Sequence, residues 1–154
     1  MSRDEKPQYG DVIQDFAAQL VFFHETVADQ LGLNATDLKC AGILRRKGPL
    51  TGKELAESMH LTTAAITKIL DKLERAGFIT REKHQTDRRS IIARVIPEAQ
   101  ERIEKLYASF AQSMSQLFGT YSNDEIKLIF DFIIRARSVF IEETAKLRNP
   151  LDDE

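Results

Sequence analysis

A mainly α fold is predicted for this chain of 154 residues, a helix-turn-helix followed by a basic hairpin and flanked at both ends by amphipathic helices. Capping signals are the first observation behind it. Thr51 with Glu54, and Ser122 with Glu125, have the spacing in which a hydroxyl and a carboxylate satisfy each other's free backbone N–H groups at a helix start. Apolar residues also recur at three- and four-residue steps over long stretches at both ends of the chain. Between Gly77 and Pro97 the pattern changes to two short β-prone runs.

The first helix is expected over about Asp11 to Leu31, with Ile13, Phe16, Leu20, Phe23, Val27 and Leu31 on one stripe and Gly32 as its stop. Ala18 and Phe22 point away from that stripe, which implies two different neighbours. A second helix should begin near Asn34 to Thr36, where small polar side chains cap backbone N–H groups, and end before Gly48-Pro49. Cys40 lies within its apolar arc beside Ala41, Ile43 and Leu44, so burial and a raised thiol pKa are expected. Thr51 opens a short third helix, and Thr62 caps a fourth that runs to about Ala76 and stops at Gly77. Phe78 to Arg81 and Ile91 to Val95 read as strands, with Glu82 to Ser90 as the hairpin tip.

Pro97 suits the first turn of a fifth helix, where its missing N–H costs nothing, and Ile103, Leu106, Tyr107, Phe110, Met114, Leu117 and Phe118 give that helix an apolar stripe. The last helix, from Ser122 toward Arg148, carries Ile126, Leu128, Ile129, Phe130, Phe132, Ile133, Ile134, Val139, Phe140 and Ile141. These are too many for one face, so it must be covered on several sides. A second copy of the chain is the simplest cover, with the terminal helices forming a shared dimerisation bundle. The expected organisation is therefore residues 1–33 as an N-terminal dimerisation helix, 34–96 as a winged helix-turn-helix and 97–154 as C-terminal dimerisation helices.

Composition narrows the function classes. The length suits one domain or one domain with an oligomerisation arm, and 42% hydrophobic residues suffice for a core. No uninterrupted apolar run approaches the roughly 20 residues of a membrane span, and the polar start is unlike a leader, so a soluble cytoplasmic protein is expected. The single cysteine forms no internal disulfide, and His24, His60 and His84 are too dispersed for a metal motif. No cofactor, metal or catalytic step is expected.

The net charge of −2 conceals an asymmetry. Arg45 to Arg94 holds twelve Lys/Arg against six Asp/Glu, a net +6, whereas the remainder holds ten against eighteen, a net −8. Basic charge thus concentrates where the helix-turn-helix lies, as a footprint for phosphate would.

In that unit Ala56 supplies the small residue at the helix crossing, Leu55 and Met59 face inward, and Ile66, Ile69, Leu70 and Leu73 complete the inner face. His60 holds the turn position often given to glycine, because histidine tolerates the left-handed backbone better than most residues. The opposite face of the fourth helix shows Thr63, Ala64, Thr67, Lys68, Asp71 and Arg75. A recognition helix enters the major groove N-terminal half first, which makes Thr62, Thr63, Ala64, Thr67 and Lys68, with Lys72 a turn further on, the candidates for bases and nearby phosphates. Asp71 repels phosphate and should instead orient a basic side chain. The hairpin carries Arg81, Lys83, His84, Arg88 and Arg89, and an arginine at such a tip can enter a narrow minor groove.

Over about Leu33 to Ala99 the sequence resembles the MarR (multiple antibiotic resistance regulator) family of dimeric winged-helix transcription factors. The residues that carry the resemblance are LTGKELAESMHLTTAAITKILDKLERAGFITRE and the wing motif Asp87-Arg88-Arg89-Ser90. It implies a homodimer on a pseudo-palindromic double-stranded operator, with the helix from Thr62 onward in the major groove and Arg89 in the minor groove. Family members usually repress, and many release DNA on binding small phenolic or lipophilic molecules. The usual effector pocket would fall here near Leu20, Phe23 and His24, with Tyr107. Two departures stand out. Val95-Ile96 and Ala99 replace a common leucine-threonine pair and following glycine, so Pro97 must help start the next helix. Cys40 also does not match the first-helix cysteine of the peroxide-sensing branch.

Two other functions compete. A winged-helix protein-interaction module without DNA binding would show an apolar face on the fourth helix, and Thr63, Thr67 and Lys68 are not apolar. A metal sensor or enzyme built on His24 with Glu25 or Asp29 lacks further ligands at workable spacing.

Overall fold

The computed structural model describes residues 9–84 and 90–148. The chain divides into two compact units, residues 1–107 and 108–154.

In the first unit, helix α1 (Tyr9–Gln30) leads through Gly32, whose φ of 69° only glycine adopts at little cost, into α2 (Ala35–Lys47). The stripe expected on α1 divides along its length. Val27, Ala28 and Leu31 are buried and Phe23 is half-buried, whereas Ile13, Phe16 and Leu20 remain exposed. Helix α2 opens on a capping box: Asn34 accepts from the Asp37 N–H, and the Asp37 carboxylate accepts from the Asn34 N–H. Its apolar face sends Leu38, Ala41, Ile43 and Leu44 into the core.

A two-residue strand β1 (Leu50–Thr51) precedes α3 (Gly52–Met59) and α4 (Thr63–Arg75), which are followed by β2 (Ile79–Lys83) and β3 (Ile91–Val95). The three strands form an antiparallel sheet in the order β1-β3-β2, with Leu50 opposite Ala93 on one side and Arg81 opposite Ala93 on the other. Two details differ from the sequence reading. The second strand begins one residue later and runs to Lys83, because Glu82 and Lys83 continue the ladder against Ile92 and Ile91. Strand β1 has no local signature, since so short a strand carries no periodicity and its partner lies beyond α3, α4 and β2 in the chain.

Phe78, freed from the strand, closes α4 instead. Gly77 turns at φ 72°, the Phe78 N–H returns to the Leu73 carbonyl at 2.9 Å, and the ring drops into the core between helix and sheet. Phe78, Leu55, Ile66 and Leu73 are its fully buried centre. Helix α5 (Pro97–Phe118) starts at Pro97 as expected, and Ala99 and Ile103 seal the first unit.

Cys40 is completely buried, and desolvation, with Asp37 nearby as the smaller influence, pushes its thiol up to about 11. The folded chain therefore favours the protonated thiol. That contribution to stability is complete below the ordinary value of 9.0 and is lost as pH rises toward about 11. At pH 8, Ellman's reagent should label the native protein far more slowly than the denatured chain, because the buried thiol is both protonated and closed to the reagent. Equal rates in the two states would place Cys40 at the surface.

In the second unit, the end of α5 and α6 (Asn123–Arg148) are joined by a turn in which Ser122 and Glu125 form the expected capping box. Phe118 stacks on Phe130 with 5.6 Å between ring centroids. No residue of α6 is buried, and Ile133, Ile134, Phe132 and Phe140 are at least half exposed.

Candidate nucleic-acid interface

Helices α3 and α4 meet as the local signals require. Thr51 caps α3 reciprocally with Glu54, whose carboxylate accepts from the Thr51 N–H at 2.7 Å and the hydroxyl at 2.8 Å and is held below the usual carboxylate range by those two bonds. His60 ends α3 in the left-handed region, φ 54° and ψ 44°, as its place in the turn predicted. Thr62 then caps α4 by accepting from the Ala65 N–H at 3.2 Å. Leu55, Ala56 and Met59 of α3 pack against Ile66, Leu70 and Leu73 of α4, and Ile69 is half-buried beside them.

That packing fixes which face of α4 stays in water. Thr62, Thr63, Ala64, Thr67, Lys68 and Arg75 are all exposed. The Thr67 hydroxyl donates to the Thr63 carbonyl at 2.9 Å, which leaves its oxygen lone pairs as the outward-facing polar feature. Among the described residues Lys68 forms no ion pair, so its ammonium is available. Lys72 differs: its ammonium lies 2.5 Å from the buried carboxylate of Asp37.

Asp71 does what its charge requires. With Glu74 it holds Arg81 of β2, at 2.7 Å and 2.5 Å respectively, and these carboxylates raise the Arg81 pKa while Arg81 lowers that of Glu74. Arg81, a hairpin residue in sequence, is therefore the strap that ties the hairpin to α4 rather than part of the tip. Arg94 and Glu82 pair across β3 and β2 at 3.1 Å. A groove of about 410 Å³ runs between α4 and the hairpin, lined by Thr67, Leu70, Arg81, Lys83 and Ile91. The hairpin closes with the His84 N–H donating to the Ser90 carbonyl at 2.8 Å. Arg88 and Arg89 lie outside the described residues, as does Asp87.

A second cavity, of about 460 Å³, lies within the same unit between α2, the C-terminal part of α1 and the first half of α5. His24 and Tyr107 face it, together with Leu38, Arg45, Arg46 and Ile103. His24 Nδ1 and the Tyr107 hydroxyl are hydrogen-bonded at 2.8 Å, and desolvation raises the Tyr107 pKa against the opposing pull of Arg45. Two of the four residues expected near a small-molecule pocket thus line a cavity. Phe23 instead packs edge-on against Tyr107 at 5.5 Å, and Leu20 lies on the exposed stripe of α1.

The sequence reading missed Asp37. Its capping box with Asn34 is local, but its bond to Lys72 joins residues 35 positions apart and leaves no local trace.

Known proteins share both the sequence and the fold. The profile of the MarR family matches residues 33–91. The HTH-type transcriptional regulator YcgE of Bacillus subtilis (strain 168) is 34% identical over 137 residues, which cover 89% of each chain. The HTH-type transcriptional repressor YetL of the same organism is 34% identical over 95 residues, spanning 59% of this chain and 56% of YetL. Among solved structures, a point mutant of S. aureus MepR bound to an oligodeoxyribonucleotide has a similar fold. Its TM-score is 0.61 at 17% identity, and the match covers 86% of this chain and 98% of MepR.

Proposed function

The chain belongs to the MarR family of winged helix-turn-helix, DNA-binding transcriptional regulators, and from that premise we propose that it works as a homodimeric repressor whose grip on a pseudo-palindromic operator is released by a small phenolic or lipophilic molecule. In this reading residues 34–96 read the DNA, and residues 1–33 and 97–154 join the two copies in the cytoplasm. The observation that carries DNA reading is the outward face of α4. Its N-terminal half offers hydroxyls, a methyl group and a free ammonium at Thr62, Thr63, Ala64, Thr67 and Lys68, the chemistry of base edges and phosphates. A protein-docking module would need apolar side chains there.

The exposed apolar faces of α1 and α6 support the dimer, since surface of that extent on a lone chain marks an interface. The cavity beside His24 and Tyr107 supports the effector site: it is large enough for a small aromatic molecule, and Leu38 and Ile103 meet there with the cations of Lys39, Arg45 and Arg46. Within the described residues no helix is long and apolar enough to cross a membrane.

Selection from random duplexes with the full chain should yield an operator with half-sites about one helical turn apart, ~34 Å, whose affinity falls steeply with salt. Recovery of no sequence preferred over random DNA would refute the reading. On the selected operator, Arg89→Ala should weaken binding by about 1–3 kcal/mol, the size of a lost specific contact, without loss of dimer. A parallel loss of dimer would remove Arg89 from the DNA.

A further inference from the structure

We propose that Lys72 is a positioning residue of the recognition helix, acting through the buried carboxylate of Asp37, and not a contact to DNA. Within the described residues Asp37 is the one charged side chain that is buried, at 2% exposure. Capping does not explain that burial. Glu54 and Glu125 perform the same service for α3 and α6 from exposed positions. The carboxylate of Asp37 also holds a distant side chain, because one oxygen, Oδ2, accepts both from the Asn34 N–H at 3.1 Å and from the Lys72 ammonium at 2.5 Å.

The bond joins the first turn of α2 to the third turn of α4. On its other flank α4 is held by Asp71 and Glu74 to Arg81 of β2. Charged ties therefore brace the recognition helix on two sides, against α2 and against the hairpin, in addition to the apolar packing that sets its inner face. A reach by Lys72 to phosphate would leave Asp37 buried and unpaired, which costs far more than an exposed phosphate contact returns. Lys68, one turn earlier on α4 and without an ion-pair partner among the described residues, is free to make that contact.

This inference rests on the DNA-reading function, and the test separates the two. Wild-type chain, Lys72→Met, Asp37→Asn and the double variant are titrated against the selected operator and against a random duplex of equal length, over a range of salt. A wild-type chain that fails to prefer the operator defeats the function itself. If it does prefer the operator, each single variant should lose tenfold or more in operator affinity, with random-duplex affinity and the salt slope unchanged. The double variant should be no weaker than the weaker single variant, because both changes break the same tie. Asp37→Asn is the sharpest arm, since removing a negative charge should by electrostatics alone strengthen DNA binding.

The proposal is overturned if Lys72→Met lowers the salt slope by about one unit on both duplexes, the mark of a lost phosphate contact. It is also overturned if Asp37→Asn binds the operator as well as wild type, or if the losses add in the double variant. Thermal melts of each variant accompany the titrations. Should Lys72→Met fail to fold with its carboxylate unpaired, the double variant, which buries no charge, decides: wild-type operator affinity there overturns the proposal.

Discussion

A chain carrying Ile133→Glu and Phe140→Glu is expected to become a monomer and to lose specific operator binding. The two positions lie seven residues apart, two turns along one face of α6, and are 50% and 64% exposed in the single chain. Burial of a large apolar side chain is worth about 1.5–3 kcal/mol, and a two-fold interface contains each residue twice. Four such side chains, each with about half its surface left to bury, give about 3–6 kcal/mol, roughly two to four orders of magnitude in the dimer dissociation constant. Carboxylates at those sites would also have to be desolvated, so the true loss should be larger. Sedimentation equilibrium reads the dimer directly, and gel shifts read the consequence, because a monomer engages one half-site instead of two. A variant that stays dimeric at micromolar concentration would move the interface off this face of α6.

The second large effect is on folding. Phe78→Ala should lower the unfolding free energy by about 3–5 kcal/mol, the usual cost of emptying a large aromatic site. Phe78 has no exposed surface, follows the glycine that ends α4, donates its N–H to the Leu73 carbonyl and accepts at its own carbonyl from the Ile96 N–H. Its ring is thus the shared anchor of α4, the sheet and the start of α5, and little around it can collapse into the space. The Arg102 guanidinium sits 4.7 Å from the ring centroid. Arg102→Ala tests that contact separately and should cost only about 0.5–1 kcal/mol, the range for an exposed cation–π pair. Urea melts at one fixed protein concentration measure both, since a dimer's stability depends on concentration. A loss below about 1 kcal/mol for Phe78→Ala would show that the site repacks.

Much of the exposed face of α4 was legible in advance. Thr51 with Glu54, His60 in the turn, Thr62 as cap and Gly77 as stop each act on near neighbours in the chain, so the residues alone bound α3 and α4. Once those helices are bounded, periodicity decides that Leu55, Met59, Ile66, Leu70 and Leu73 turn inward and that Thr63, Thr67 and Lys68 turn out. Asp71 was readable for a different reason: a carboxylate on the basic face of a helix calls for a basic partner, although its identity as Arg81 was not apparent. His24 and Tyr107 come together across 83 positions to line a cavity, while Leu20 lies on the exposed stripe and Phe23 packs on Tyr107.

The helices, their caps, the hairpin and the polar face of α4 are written in the residue order, because each depends on side chains one turn or one strand register apart. Folding in three dimensions was needed to pair β1 with β3, to make Phe78 close a helix instead of opening a strand, and to bring Lys72 to a buried Asp37. Those outcomes follow from which surfaces meet when the helices pack. A lysine on a helix face looks the same in sequence whether its neighbour in space is water, a phosphate or a carboxylate 35 residues away.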